Sequence, residues 1–168
     1  MSKTEQKMPS RTVVIFAYDG AQLIDIAGPT QALTTANEEG ALPPYAVRLV
    51  AVSGGPIRTA SGVKLIADPL PRAITIDTLL VPGGPGVHTL RKDRRALAAL
   101  QRLCMRSRRI CAVCTGAFAL AEIGLLNKRR GVHKHPYPSS LALTGFHFQK
   151  WGRGRSPASI HPCARFGT

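Results

Sequence analysis

Cys114 is the residue of this chain best placed to do chemistry. It stands between a short apolar run, Ile110 to Val113, and a stretch from Thr115 to Leu126 in which Phe118, Ala119, Ala121, Leu125 and Leu126 suit one face of a helix. The β-branched run predicts a buried strand. A strand passing at once into a helix, with Gly116 two residues after the cysteine, is the pattern of a nucleophile elbow. Such a turn holds the sulfur at a helix N-terminus, where unsatisfied N–H groups and the helix dipole favour a thiolate. The arrangement suits catalysis or redox sensing. The plainer reading is a buried cysteine serving as a small apolar residue. Cys111 completes a C-x-x-C spacing, but the predicted strand puts it inside the sheet, against a redox pair or a zinc site.

An elbow needs a sheet behind it. Thr12 to Ala17 is a continuous β-branched run of the kind buried on both faces of a parallel sheet. Leu23 to Asn37 reads as a helix with Ile26, Leu33 and the alanines as apolar positions. Tyr45 to Val52 and Thr75 to Val81 read as further strands, and Ile57–Thr59 with Val63–Ala67 as a short hairpin. Lys92 to Met105 predicts an amphipathic helix with Leu97, Leu100 and Leu103 inward. Strands alternating with helices predict an α/β three-layer sandwich with a mainly parallel sheet. Asp19-Gly20, Gly83-Gly84 and Cys114 all fall where strands end. Ligands bind there in such folds, so the three segments are expected to form one crevice.

The chain of 168 residues allows one domain with a sizeable core. No apolar run approaches the ~20 residues of a membrane span, and Met1 to Arg11 has no signal-peptide core, which predicts a cytoplasmic protein. The four cysteines do not form the pattern of a secreted disulfide framework. The net charge of +14 is unevenly placed: all nine acids precede residue 123, and residues 128–168 carry Lys and Arg without any acid. This tail could bind nucleic acid non-specifically or be solvated and unstructured. Within it only Ser140 to Thr144 has the look of an element. Arg94, Arg95, Arg102, Arg106, Arg108 and Arg109 form a basic cluster read as a solvated helix face.

Three stretches carry a family resemblance. They are Phe16-Ala17-Tyr18-Asp19-Gly20-Ala21-Gln22-Leu23-Ile24-Asp25-Ile26-Ala27-Gly28-Pro29, then Gly54-Gly55-Pro56 through Leu79-Leu80-Val81-Pro82-Gly83-Gly84-Pro85-Gly86, then Val113-Cys114-Thr115-Gly116-Ala117-Phe118 continuing to Gly124-Leu125-Leu126. Together they resemble the ThiJ/PfpI superfamily, and the wording is nearest the N-terminal domain of GlxA-like, AraC-type transcriptional regulators. Isonitrile hydratases share the L-x-D-x-x-G-P and V-C-T-G pieces. The resemblance implies the flavodoxin-like, class I glutamine-amidotransferase-like fold over residues 11–130. It matches Cys114 to the elbow cysteine, Asp25 to the acid that approaches it, and Gly83 and Gly84 to the loop facing it. Asp25 could then relay a proton or merely cap the first helix. The Gly83 and Gly84 N–H groups could stabilise a developing anion or only make the turn. Thr115 occupies the place where hydrolase members often carry histidine, which speaks against a Cys-His protease or amidotransferase.

After Arg130 the family pattern stops, and so do the acids. Residues 131–168 are therefore expected to be a disordered tail or the product of a frameshift, leaving the sandwich incomplete and a helix-turn-helix module missing. His133, His135, His147, His161 and Cys163 show no standard metal-ligand spacing. The sequence thus predicts a sensor of an unidentified small molecule from an AraC-type regulator, with no cofactor or metal. A homodimer is allowed, dimers being common in the superfamily. An isonitrile hydratase-like lyase using Cys114 and an inactive gene fragment are the alternatives.

Overall fold

The computed structural model describes residues 10–72 and 74–127, together with the strands at 130–133, 147–150 and 164–165. The elements run β1 (Arg11–Phe16), α1 (Leu23–Glu38), β2 (Tyr45–Ala51), β3 (Gly55–Arg58), β4 (Lys64–Pro69), β5 (Ile76–Val81), α2 (Val87–Leu90), α3 (Arg94–Met105), β6 (Ser107–Ala112), a single 3-10 turn (Cys114–Gly116) and α4 (Ala117–Glu122). Beyond these lie β7 (Arg130–His133), β8 (His147–Lys150) and β9 (Ala164–Arg165). Ser140 to Thr144 and the histidines at 135 and 161 lie outside the described residues.

The main sheet has the order β3-β4-β2-β1-β5-β6-β9. β2, β1, β5 and β6 pair in parallel, with Val14 opposite Arg48 on one side and Leu79 on the other, and Leu79 opposite Ile110. β4 also runs parallel to β2, while β3 folds back on β4. β9 pairs antiparallel with β6 at two positions, and β7 pairs with β8 in a separate ribbon. This is the expected α/β fold with a mainly parallel sheet. From β1 the chain steps through α1 to β2, and from β5 through α3 to β6, in opposite directions across the sheet. Right-handed crossovers then put the two helices on opposite faces and make β1/β5 the switch point. The loops after β1 and β5 flank that point.

Burial explains the placement. Val14, Ile15 and Phe16 of β1 and Leu79 and Val81 of β5 are fully buried, as the unbroken apolar runs required. Each contributes about 1.5–3 kcal/mol of hydrophobic stabilisation. On α3, Ala96, Ala99, Leu100 and Leu103 face inward at helical spacing. The helix starts at Arg94, not Lys92, because the Asp93 side chain accepts the N–H groups of Arg95 and Ala96 and so caps it. The hairpin β3–β4 forms one end of the main sheet, and its outermost strand carries Pro56 and Arg58.

Three expectations need correction. β6 begins at Ser107, well before Ile110, since Arg108 and Arg109 both pair with the Asp77 carboxylate across the β5–β6 ladder. Those two arginines are therefore strand residues, and Arg106 bonds the carbonyls of Pro71 and Ile74. Only Arg94, Arg95 and Arg102 fit the solvated helix face. The helix after the elbow ends at Glu122 and does not reach Leu126, because Gly124 turns the chain with a φ of +75°.

Candidate functional site

The elbow is built by the end of β6. The Val113 N–H donates to the Val81 carbonyl at 2.9 Å, which ties the strand end to β5. Cys114 then takes a φ of +51°, the one non-glycine positive φ among the described residues. A left-handed conformation at a residue with a side chain costs free energy and marks a site the surroundings over-determine. Gly116 explains how the turn closes: a Cβ there would strike the carbonyl oxygens of Val81 and Pro82. Cys114 is exposed, not buried as the plainer reading required; Cys111 is half-buried and Cys104 buried. Burial pushes the Cys104 thiol up to about 12, so that sulfur is inert at ordinary pH.

The three segments expected at the strand ends do meet. A Cβ on Gly83 would lie 2.7 Å from the Thr115 nitrogen and 2.9 Å from the Cys114 Cβ. A Cβ on Gly84 would overlap the Gly20 carbonyl oxygen, and one on Gly86 the Asp19 carbonyl oxygen. The Gln22 N–H donates to the Gly83 carbonyl at 2.7 Å and the Gly86 N–H to the Gly20 carbonyl at 3.1 Å. The loop after β5 is thus wedged between the loop after β1 and the elbow. It can fit there only because it has almost no side chains.

The polar side chains serve this loop. The buried Asp25 carboxylate accepts the Gly83 N–H at 2.9 Å. It sits in the first turn of α1 but does not cap it, since no side chain caps that helix. Thr115 Oγ1 accepts the Gly84 N–H at 2.9 Å. Both glycine N–H groups expected to face an anion are therefore already engaged by side chains. His88 on α2 faces the Phe118 ring, with centroids 6.5 Å apart.

Sequence reasoning missed Tyr18. Its hydroxyl donates to the Pro82 carbonyl at 2.7 Å in a buried position, fixing the start of the Gly83-Gly84 loop from the β1 side. Burial first, and then the charges of Asp25 and Cys114, raise the phenol far above its ordinary range. It stays a neutral donor wherever the protein is folded. The signal was present as a tyrosine directly after the first apolar strand.

An exposed elbow cysteine beside a glycine-rich loop on a switch-point α/β sheet defines a class of site. The DJ-1/PfpI family model matches residues 11–145. The chain belongs to the DJ-1/PfpI family. It is 36% identical over 131 residues to a Streptomyces lividans protein described by its position 5′ of cpoL, covering 77% of this chain and 92% of that protein. Against the isonitrile hydratase of Pseudomonas putida it is 29% identical, covering 76% of this chain and 54% of the enzyme. Against the HTH-type transcriptional regulator GbdR of Pseudomonas aeruginosa it is 28% identical, covering 73% and 33%. The chain thus spans about half of the enzyme and a third of the regulator. Among solved structures, a THiJ/PfpI family protein from Pseudomonas syringae superposes with a TM-score of 0.68 at 24% identity, over 88% of this chain and 61% of that one. An AraC family transcriptional regulator from Pseudomonas putida gives 0.66 at 19%, over 84% and 76%. These structures share the fold. No helix among the described residues is long and apolar enough to cross a membrane.

Proposed function

We propose that this chain is the ligand-sensing domain of an AraC-type, HTH-bearing transcriptional regulator, acting in the cytoplasm on a small molecule held at the Cys114 elbow. The observation that carries the reading is the commitment of Asp25 and Thr115 to the Gly83 and Gly84 backbone. A hydrolytic elbow spends such groups on moving protons. Here they fix the shape of a loop, which is what a binding site needs. The likeness to GbdR, and a 40% identical stretch of 53 residues in the HTH-type regulator Rv1931c of Mycobacterium tuberculosis, support it.

A second reading has its own support in the exposed, strained Cys114 and the likeness to isonitrile hydratase. Cys114 would add to the isonitrile carbon to give a thioimidate, and water would convert this to the formamide and free the thiol. Incubation of the purified chain with cyclohexyl isocyanide separates the two. The sensor reading expects no turnover above a Cys114→Ala control; turnover that vanishes in that variant replaces it with the lyase.

A further inference from the structure

A cavity of about 300 Å³ opens at the C-terminal ends of β1 and β2, and neither Cys114 nor Asp25 lines it. Its floor is apolar and nearly buried, with Ile57 and Leu90 contributing the larger side chains. Its polar lining includes Asp19, Ser53, Thr89 and Asp93, all exposed at the mouth. The chain holds 23 Lys and Arg against nine acids, yet two aspartates and no Lys, Arg or His line this cavity. The local charge is opposite in sign to that of the molecule.

Both carboxylates are fixed by one oxygen. Asp19 Oδ1 accepts the Arg58 N–H at 2.7 Å, and Asp93 Oδ1 accepts the N–H groups of Arg95 and Ala96 at 2.9 and 3.0 Å. The second oxygen of each takes no hydrogen bond among the described residues. We propose that this cavity binds a small organic amine, its protonated nitrogen held by the Asp19 and Asp93 carboxylates and its compact apolar body resting on Ile57 and Leu90. The volume lies at the small end of ligand pockets, so the ligand is metabolite-sized. Preorganised carboxylates over an apolar floor favour a cation with an apolar body above either a neutral isostere or an anion.

The proposal goes beyond the sensor reading, whose ligand sits at the Cys114 elbow: the cavity is a second place, joined to the elbow loop through Tyr18. Tyr18 is among the residues that line the cavity, and its hydroxyl anchors Pro82, at the head of the loop that packs on Cys114. A molecule seated in the cavity rests against the residue that positions the elbow loop.

The test uses the full chain and three isosteres: benzylamine, benzyl alcohol and benzoate, with affinities from calorimetry and saturation-transfer NMR. Benzylamine is expected to bind at least tenfold more tightly than benzyl alcohol, and benzoate least. Asp19→Asn and Asp93→Asn, the latter keeping a capping oxygen for α3, each reduce that preference severalfold and leave benzyl alcohol unaffected. Ser53→Trp, at the exposed mouth, blocks both ligands even if an aspartate variant fails to fold. Equal affinity for the three compounds, or amine binding that survives Ser53→Trp, overturns the proposal. Binding is read without reference to Cys114 chemistry. Isonitrile turnover would therefore sink the sensor reading and leave this result standing, and the reverse holds as well.

Discussion

Asp25 and Gly83 lie 58 positions apart and are joined by a buried hydrogen bond of 2.9 Å. The bond links the first turn of α1 to the loop after β5, and it gives a buried carboxylate a fixed donor. Asp25→Ala strands the Gly83 N–H away from water and should cost about 1–3 kcal/mol, whereas Asp25→Asn keeps an acceptor and should cost less. Tyr18→Phe removes the matching bond to Pro82 and should cost about 1–2 kcal/mol. Urea unfolding of the three variants checks the ranking; an Asp25→Ala protein as stable as the parent would remove the structural role.

The cysteines should react in an order set by burial. Iodoacetamide at pH 8 should label Cys114 first and leave Cys104 untouched until the protein unfolds, because Cys104 is buried with its thiol near 12. Peptide mapping of the alkylated chain reads this directly.

Backbone strain at Cys114 predicts which substitutions it accepts. Cys114→Gly should be neutral to slightly stabilising, and Cys114→Val should cost about 1–2 kcal/mol, since a β-branched side chain resists a φ of +51°. Gly116→Ala should be worse, about 2 kcal/mol or more, because its Cβ meets strand-end carbonyls that cannot move aside. Thermal melts of the three variants settle the order.

Acid should expose the role of Asp77. Burial raises its carboxyl, but hydrogen bonds from Arg109, Thr78 and Arg108 and the charge of Arg109 outweigh this and hold it at about 2. The folded value lies below the unfolded one, so the stabilisation is full above about pH 4 and is lost as the pH falls toward 2. After solvent screening it is on the order of 1 kcal/mol. Asp77→Asn should flatten the acid limb of a stability-against-pH curve by that amount; an unchanged limb would show that the pairs contribute nothing.

The sequence revealed the sheet because burial on both faces writes itself as unbroken apolar runs, as in Val14-Ile15-Phe16 and Leu79-Leu80-Val81. It placed Cys114 at a strand-to-helix turn for the same reason. It hid whatever depends on distant partners. Arg108 and Arg109 read as part of a solvated helix face until Asp77 is brought alongside. The four-residue α2 sits in a glycine-rich segment too short to show a period. Asp25 carried no mark of whether it would cap its helix or cross to Gly83, because either choice satisfies a carboxylate. Tyr18 gave no hint of its partner, its hydroxyl bonding a carbonyl 64 positions away.

The hairpin at one end of the main sheet has a consequence for how the protein behaves in concentrated solution. Its outermost strand, Gly55–Arg58, offers no N–H at Pro56 and a fixed positive charge at Arg58. An incoming strand would lose a ladder bond at the first and meet like charge at the second in another copy of the chain. Edges of this kind resist fibril growth. At this end the sheet terminates itself, and self-templated aggregation would have to begin elsewhere.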